Sequence, residues 1–60
     1  MNLKALRMKR GLTQVELAKK LRMKQAHVAM LESGAKPNPT LATLRRLAKA
    51  LRCTVAELIE

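Results

Sequence analysis

The side chains able to do covalent or acid–base chemistry are few and scattered. The chain holds one cysteine (Cys53), one histidine (His27), one serine (Ser33) and four carboxylates, all glutamates, at positions 16, 32, 57 and 60. A structural metal site or a disulfide needs more cysteine and histidine than this. A Cys53–His27 dyad has no orienting third group, and nothing in the spacing brings the two together. The four glutamates are scattered, so paired-carboxylate acid–base work has little support. The expectation is a protein that is not an enzyme, with no metal and no cofactor. The abundant chemistry is electrostatic: 13 Lys and Arg against 4 acidic residues, a net charge of +9. An excess of this size favours a polyanionic partner, either nucleic acid or an anionic membrane. With no Phe, Tyr or Trp, there is no aromatic platform on which single-stranded bases could stack. No apolar run approaches the ~18–20 residues of a membrane span. The opening Met1-Asn-Leu-Lys-Ala5 has no secretory apolar region, so a cytoplasmic, nucleoid-associated location is expected.

The elements that must position these charges are short helices. Sixty residues read as one domain, 1–60, and a chain of this size buries only roughly 60% of the surface its unfolded form exposes. Gly11 and Gly34 stand where helices end. Lys36-Pro37-Asn38-Pro39 is a loop, because proline removes donors and turns its predecessor out of the helical region. Thr13-Gln-Val-Glu16 and Thr54-Val-Ala-Glu57 have the form of capping boxes, and Thr40 is a good N-cap. Helix is expected over about 2–10, with Asn2 as its cap and Leu3, Leu6 and Met8 inward. A further helix over about 40–51 presents Leu41, Leu44, Leu47, Ala48 and Leu51 at helical spacing. A last helix follows Thr54 and carries Val55, Leu58 and Ile59, which complete the core or form a dimer face. There is neither a repeat nor a low-complexity segment in this reading, and no strand. Short amphipathic helices with short connections make an all-α, compact five-helix bundle. Over 13–32 the apolar positions 17, 21, 28 and 31 suit one continuous helix as well as two, so periodicity alone places no break there.

The segments Gly11-Leu-Thr-Gln-Val-Glu-Leu-Ala-Lys-Lys-Leu21 and Val28-Ala-Met-Leu-Glu-Ser-Gly34 resemble the Cro/phage-repressor type of helix-turn-helix, the xenobiotic-response-element family. Asn38-Pro-Thr-Leu41 with Leu44-Arg-Arg-Leu-Ala-Lys-Ala-Leu51 looks like that family's fourth helix, and Thr54-Val-Ala-Glu-Leu58 like its fifth. The resemblance implies a lambda-repressor-like bundle with the helix-turn-helix at 13–32: one helix at about 13–21, a turn at 22–23, and a recognition helix at about 24–32. Such a unit lays its second helix in the major groove while the first crosses the backbone. The sequence departs from the family at two places. Arg22 replaces a glycine at a position that takes positive φ, at a cost of about 1 kcal/mol. Lys24 replaces the usual Ser or Thr cap, losing another ~1 kcal/mol.

By the same resemblance, the residues expected to meet DNA are Gln14, Lys24, Gln25, Ala26, His27, Met30 and Lys36. Gln14 opens the first helix of the unit, where backbone N–H groups and the helix dipole attract phosphate; the bland alternative is an ordinary first-turn residue. Gln25 can bond adenine bidentately, and Lys24 can reach guanine or phosphate. His27 is either a base or phosphate contact or a solvated helix residue. Ala26, Ala29 and Met30 offer no hydrogen bonds; they touch thymine methyl groups or mark a weakly specific helix. Lys36 is placed against the backbone. Arg7 and Glu32 correspond to an internal ion pair, a structural role. Arg45, Arg46, Lys49 and Arg52 are expected to lie away from the groove, and Cys53 to pack as a small hydrophobe.

The function these expectations compose is a sequence-specific duplex DNA-binding regulator, a repressor, acting as a homodimer. Two rivals keep the same fold. One is an antitoxin or protein-interaction module with a protein partner, motivated by the apolar Ala26, Ala29 and Met30. The other is a weakly specific nucleoid-type DNA binder driven by charge.

Overall fold

The computed structural model describes residues 1–34 and 39–60, which form five helices: α1 (Leu3–Lys9), α2 (Gln14–Leu21), α3 (Gln25–Ser33), α4 (Leu41–Leu51) and α5 (Val55–Ile59). Three starts follow from threonine caps. Thr13, Thr40 and Thr54 each accept a hydrogen bond from the backbone N–H three residues on, at Glu16, Thr43 and Glu57. At Thr13 and Thr54 the glutamate reaches back to the cap N–H, so both boxes close. Two orphan donors are satisfied at each of those ends. Asn2 stands at the α1 cap position, but its side chain accepts no capping hydrogen bond. Its backbone N–H instead donates to the Leu58 carbonyl at 2.7 Å, tying the first helix to the last.

All five helices contribute to one core. Leu3, Leu17, Val28, Leu47, Leu51 and Leu58 are fully buried, and Leu6, Ala18, Leu21 and Leu31 close around them. Without aromatic residues, branched aliphatic side chains fill the centre. α2 packs against α3 and α4, α4 against α5, and α1 spans α3 and α5. No described helix is long and apolar enough to cross a membrane.

The expectation that the chain has no repeat is corrected. Leu17-Ala-Lys-Lys-Leu-Arg-Met23 and Leu47-Ala-Lys-Ala-Leu-Arg-Cys53 agree at five of seven positions, thirty residues apart. They also fold alike. Arg22 and Arg52 both adopt left-handed backbone, at φ 55° and 53°. The Met23 N–H donates to Ala18 and the Cys53 N–H to Ala48, while Arg22 and Arg52 donate to Lys19 and Lys49. This pair of bonds is the Schellman closure, with Met23 and Cys53 as the apolar residues that fold back on the core.

Two apolar residues expected inward, Met8 and Leu41, are exposed, and so is Ile59, for which the core and a dimer face are both open in the sequence. In α1 the buried stripe is Leu3, Leu6 and Arg7, which leaves Met8 on the next face round. Along α4 burial rises from exposed Leu41 through half-buried Leu44 to Leu47, Ala48 and Leu51, so the helix enters the core only in its second half. Val55 is half-buried, and Leu58 alone of α5 is buried. Of the Lys36–Pro39 loop, residues 36–38 lie outside the described residues.

Candidate nucleic-acid interface

The angle between α2 and α3 is set at Arg22, which resolves what periodicity leaves open. Residues 14–33 are two helices, because the left-handed residue ends α2 and redirects the chain into α3. Lys24 is the N-cap of α3 in extended conformation, with no side-chain capping bond. The first N–H groups of α3 are therefore not covered by a cap side chain, unlike those of α2, α4 and α5.

Beneath this corner lies a buried ion pair. The Arg7 guanidinium donates from Nε to Glu32 Oε2 at 2.5 Å and from Nη2 to Oε1 at 3.3 Å, and from Nη1 to the Leu12 carbonyl at 2.7 Å. The two side chains are only 10% and 5% exposed. Burial pushes the Glu32 carboxyl upward, but the bonds from Arg7 and Gln14 and the Arg7 charge outweigh it and hold the group below its ordinary value. The pair joins α1 to the end of α3, the structural role expected of it.

The same carboxylate organises the surface above it. Gln14 Nε2 donates to Glu32 Oε1 at 3.1 Å, and Gln25 Nε2 donates to Gln14 Oε1 at 3.4 Å. A chain of contacts thus runs Arg7, Glu32, Gln14, Gln25, from the buried pair to the exposed first residue of α3. The structure brings Gln14 and Gln25 together although they are eleven residues apart; the link between them was not legible in the sequence, because it depends on the helix crossing. Lys24, Gln25 and Ala26 are exposed, and His27, Ala29 and Met30 are half-buried. All six are therefore in reach of solvent on α3 and its N-cap, and the inward residues of the helix are Val28 and Leu31. Lys36 lies outside the described residues.

Charge is distributed unevenly around this face. α3 contains no Lys or Arg, and its one acid, Glu32, is turned inward. The cations at its start are the exposed Arg22 and Lys24. Arg10 and Arg46 have a different role, which no local pattern discloses. Arg10 donates to the Leu51 and Arg52 carbonyls at 2.7 and 3.0 Å, and Arg46 to the Leu21 carbonyl. Each arginine satisfies the C-terminal carbonyls of one of the two matched helix ends. Cys53 is half-buried against the core, and burial pushes its thiol up. Among the described residues no group of His, Cys, Asp or Glu is placed to hold a metal.

What this arrangement offers is an exposed helix with amides and a lysine at its start, next to a polar pair held from below. No curated protein and no solved structure matches the chain. A helix-turn-helix family model matches residues 3–58, which is nearly the whole length. The chain belongs to the Cro/phage-repressor type of helix-turn-helix family, whose members are DNA-binding regulators of transcription.

Proposed function

We propose that this protein is a sequence-specific repressor that binds duplex DNA as a homodimer, with α3 in the major groove. The observation that carries the reading is the Gln14–Gln25 pair at the starts of α2 and α3, with Gln14 half-buried on Glu32 and Gln25 exposed above it. In this reading Gln14 and the first N–H groups of α2 hold a phosphate while Gln25 bonds a base edge. Lys24 and Lys36 add phosphate contacts, His27 lies along the same face, and Ala26 and Met30 meet thymine methyl groups. Repression follows from occupation of the operator, in the cytoplasm and on the nucleoid. A domain of this size gains from a partner copy, and a two-fold dimer matches a palindromic site with half-sites about 34 Å apart.

A weakly specific nucleoid-type binder is the second reading. It is favoured by the outward face of α3, where Ala26, Ala29 and Met30 offer no hydrogen bonds. Selection from a random duplex library separates the two. The repressor reading requires an enriched motif with two-fold symmetry, whereas retention of all sequences alike would leave only the charge-driven binder. A selection that retains no duplex, with a protein partner captured tightly, would point to the interaction module instead.

A further inference from the structure

A cleft of about 770 Å³ opens where the C-terminal ends of α2 and α4 meet the end of α1. Every charged side chain lining it is basic: Arg10, Lys20, Arg46, Lys49 and Arg52. Its apolar wall includes Leu12 and Leu21, and a low-dielectric wall beside charges of one sign concentrates their field. None of these residues belongs to the set proposed to read DNA. Five of the 13 cations are gathered here, whereas α3 carries none.

Helix capping accounts for part of the cluster only. Arg10 and Arg46 hold the carbonyls at the ends of α4 and α2. The two helix ends together bring about one unit of negative charge, well short of five cations. Lys20, Lys49 and Arg52 have no side-chain hydrogen bond or ion pair among the described residues. Glu57 feels the charge of Arg10 and Lys9, but its carboxylate is engaged by Thr54 and does not line the cleft. The capping bonds also fix both guanidinium groups. A guanidinium has five N–H donors; Arg10 uses two of them here and Arg46 one, so each keeps donors for a further acceptor. Fixed guanidinium groups with spare donors suit the geometry of phosphate.

We propose that this cleft is a second anion-binding site, separate from the α3 face, that takes contiguous phosphate groups. Two sources share that chemistry, a run of nucleic-acid backbone and a free oligophosphate. The site does not depend on α3 reading DNA.

The test uses the whole chain, inorganic tripolyphosphate as probe, and thermal unfolding at constant ionic strength. Wild type is compared with Lys20→Gln/Lys49→Gln, whose lysine side chains make no bond the fold needs. Lys4→Gln/Lys19→Gln serves as a control of equal net charge. Tripolyphosphate at 100 times its Kd should raise the folding constant of wild type and control about 100-fold. The cleft variant should need at least ten times more probe for the same rise in Tm. Duplex binding against salt then identifies the source. A log–log slope smaller by about 1.8 in the cleft variant, at 0.9 per phosphate, assigns the site to nucleic-acid backbone. An unchanged slope with the tripolyphosphate response lost assigns it to a free oligophosphate. Equal tripolyphosphate responses and equal slopes in wild type and cleft variant overturn the proposal, leaving Arg10 and Arg46 as caps alone. A chain that fails to select a motif through α3 would still give these readouts, so the two readings fail separately.

Discussion

Residues 17–33 and 47–59 begin as the same object and end as two different ones. Both open with Leu-Ala-Lys, pass through Leu-Arg, and turn on a left-handed arginine with matching backbone bonds. Leu17 matches Leu47, Ala18 matches Ala48, and Val28 matches Leu58, each pair buried to the same degree. The difference lies after the turn. Thr54 closes a capping box over α5, a five-residue helix that serves to bury Leu58. Lys24 leaves the first turn of α3 without a side-chain cap, and α3 runs for nine residues with Gln25 and Ala26 exposed. The turn is therefore a folding device used twice. What separates a helix that closes the core from one with an exposed start is the cap, the length and the outward residues that follow.

The largest effect is expected at the ion pair, in which Arg7 of α1 holds Glu32 of the first unit. Glu32→Ala leaves the buried Arg7 guanidinium without its carboxylate and should cost about 3–5 kcal/mol. That is comparable with the whole stability of a 60-residue domain, at roughly 0.05–0.15 kcal/mol per residue. Urea unfolding followed by circular dichroism should find the variant largely unfolded. The pH dependence has the matching sign. Glu32 is held below its ordinary value of 4.5 in the folded state, so its contribution is present above pH ~4.5 and is lost as pH falls through the lowered value. Glu16 and Glu57 are lowered as well, chiefly by hydrogen bonds from the Thr13 and Thr54 backbone, and act in the same direction. Acid titration of Tm should thus fall steadily below pH ~4.5, with the Glu32-dependent part missing in Glu32→Gln.

The matched cores should behave as twins. Leu17→Ala and Leu47→Ala, both at fully buried positions, should each cost about 2–5 kcal/mol. Chemical denaturation should place them within about 1 kcal/mol of each other; a larger gap would show that the two units are equivalent in backbone only. Smaller effects sharpen the contrast at the caps. Thr54→Ala should lose about 1 kcal/mol, while Lys24→Thr should gain up to about as much and weaken duplex binding by one phosphate contact. Smallest of all, Arg22→Gly and Arg52→Gly should each change stability by at most about 1 kcal/mol, because relief of left-handed strain is offset by the greater freedom of glycine when unfolded.

The helix starts at Thr13, Thr40 and Thr54 are legible in the sequence because capping is local: donor and acceptor lie three residues apart. The break at Arg22 is not, because a Schellman closure is made by backbone groups and needs no glycine; only the family resemblance places it. The thirty-residue repeat was written in the residues themselves, yet Gly and Pro punctuation does not disclose it, since neither copy contains either. Met8 and Leu41 show why apolar spacing overstates a core: the stripe on α1 is completed by a buried arginine, and α4 meets its neighbours only from Leu44 onward. The contacts of Arg10 and Arg46 span 41 and 25 residues, and no local pattern encodes them. Of the candidate interface, the start of α3 is placed in advance by the resemblance alone. The support of Gln25 through Gln14 and Glu32 depends on the angle at which α2 and α3 cross.

In the proposed function, α3 reads bases through Gln25 while the rest of the face supplies position. Duplex selection with wild type and Gln25→Ala in parallel tests it most directly. Wild type should enrich a two-fold motif, and the variant should lose preference at one base pair in each half-site. Discrimination there should fall by about 1–3 kcal/mol, with the flanking positions unchanged. An identical motif from both proteins, or an equal loss on every sequence, would contradict it.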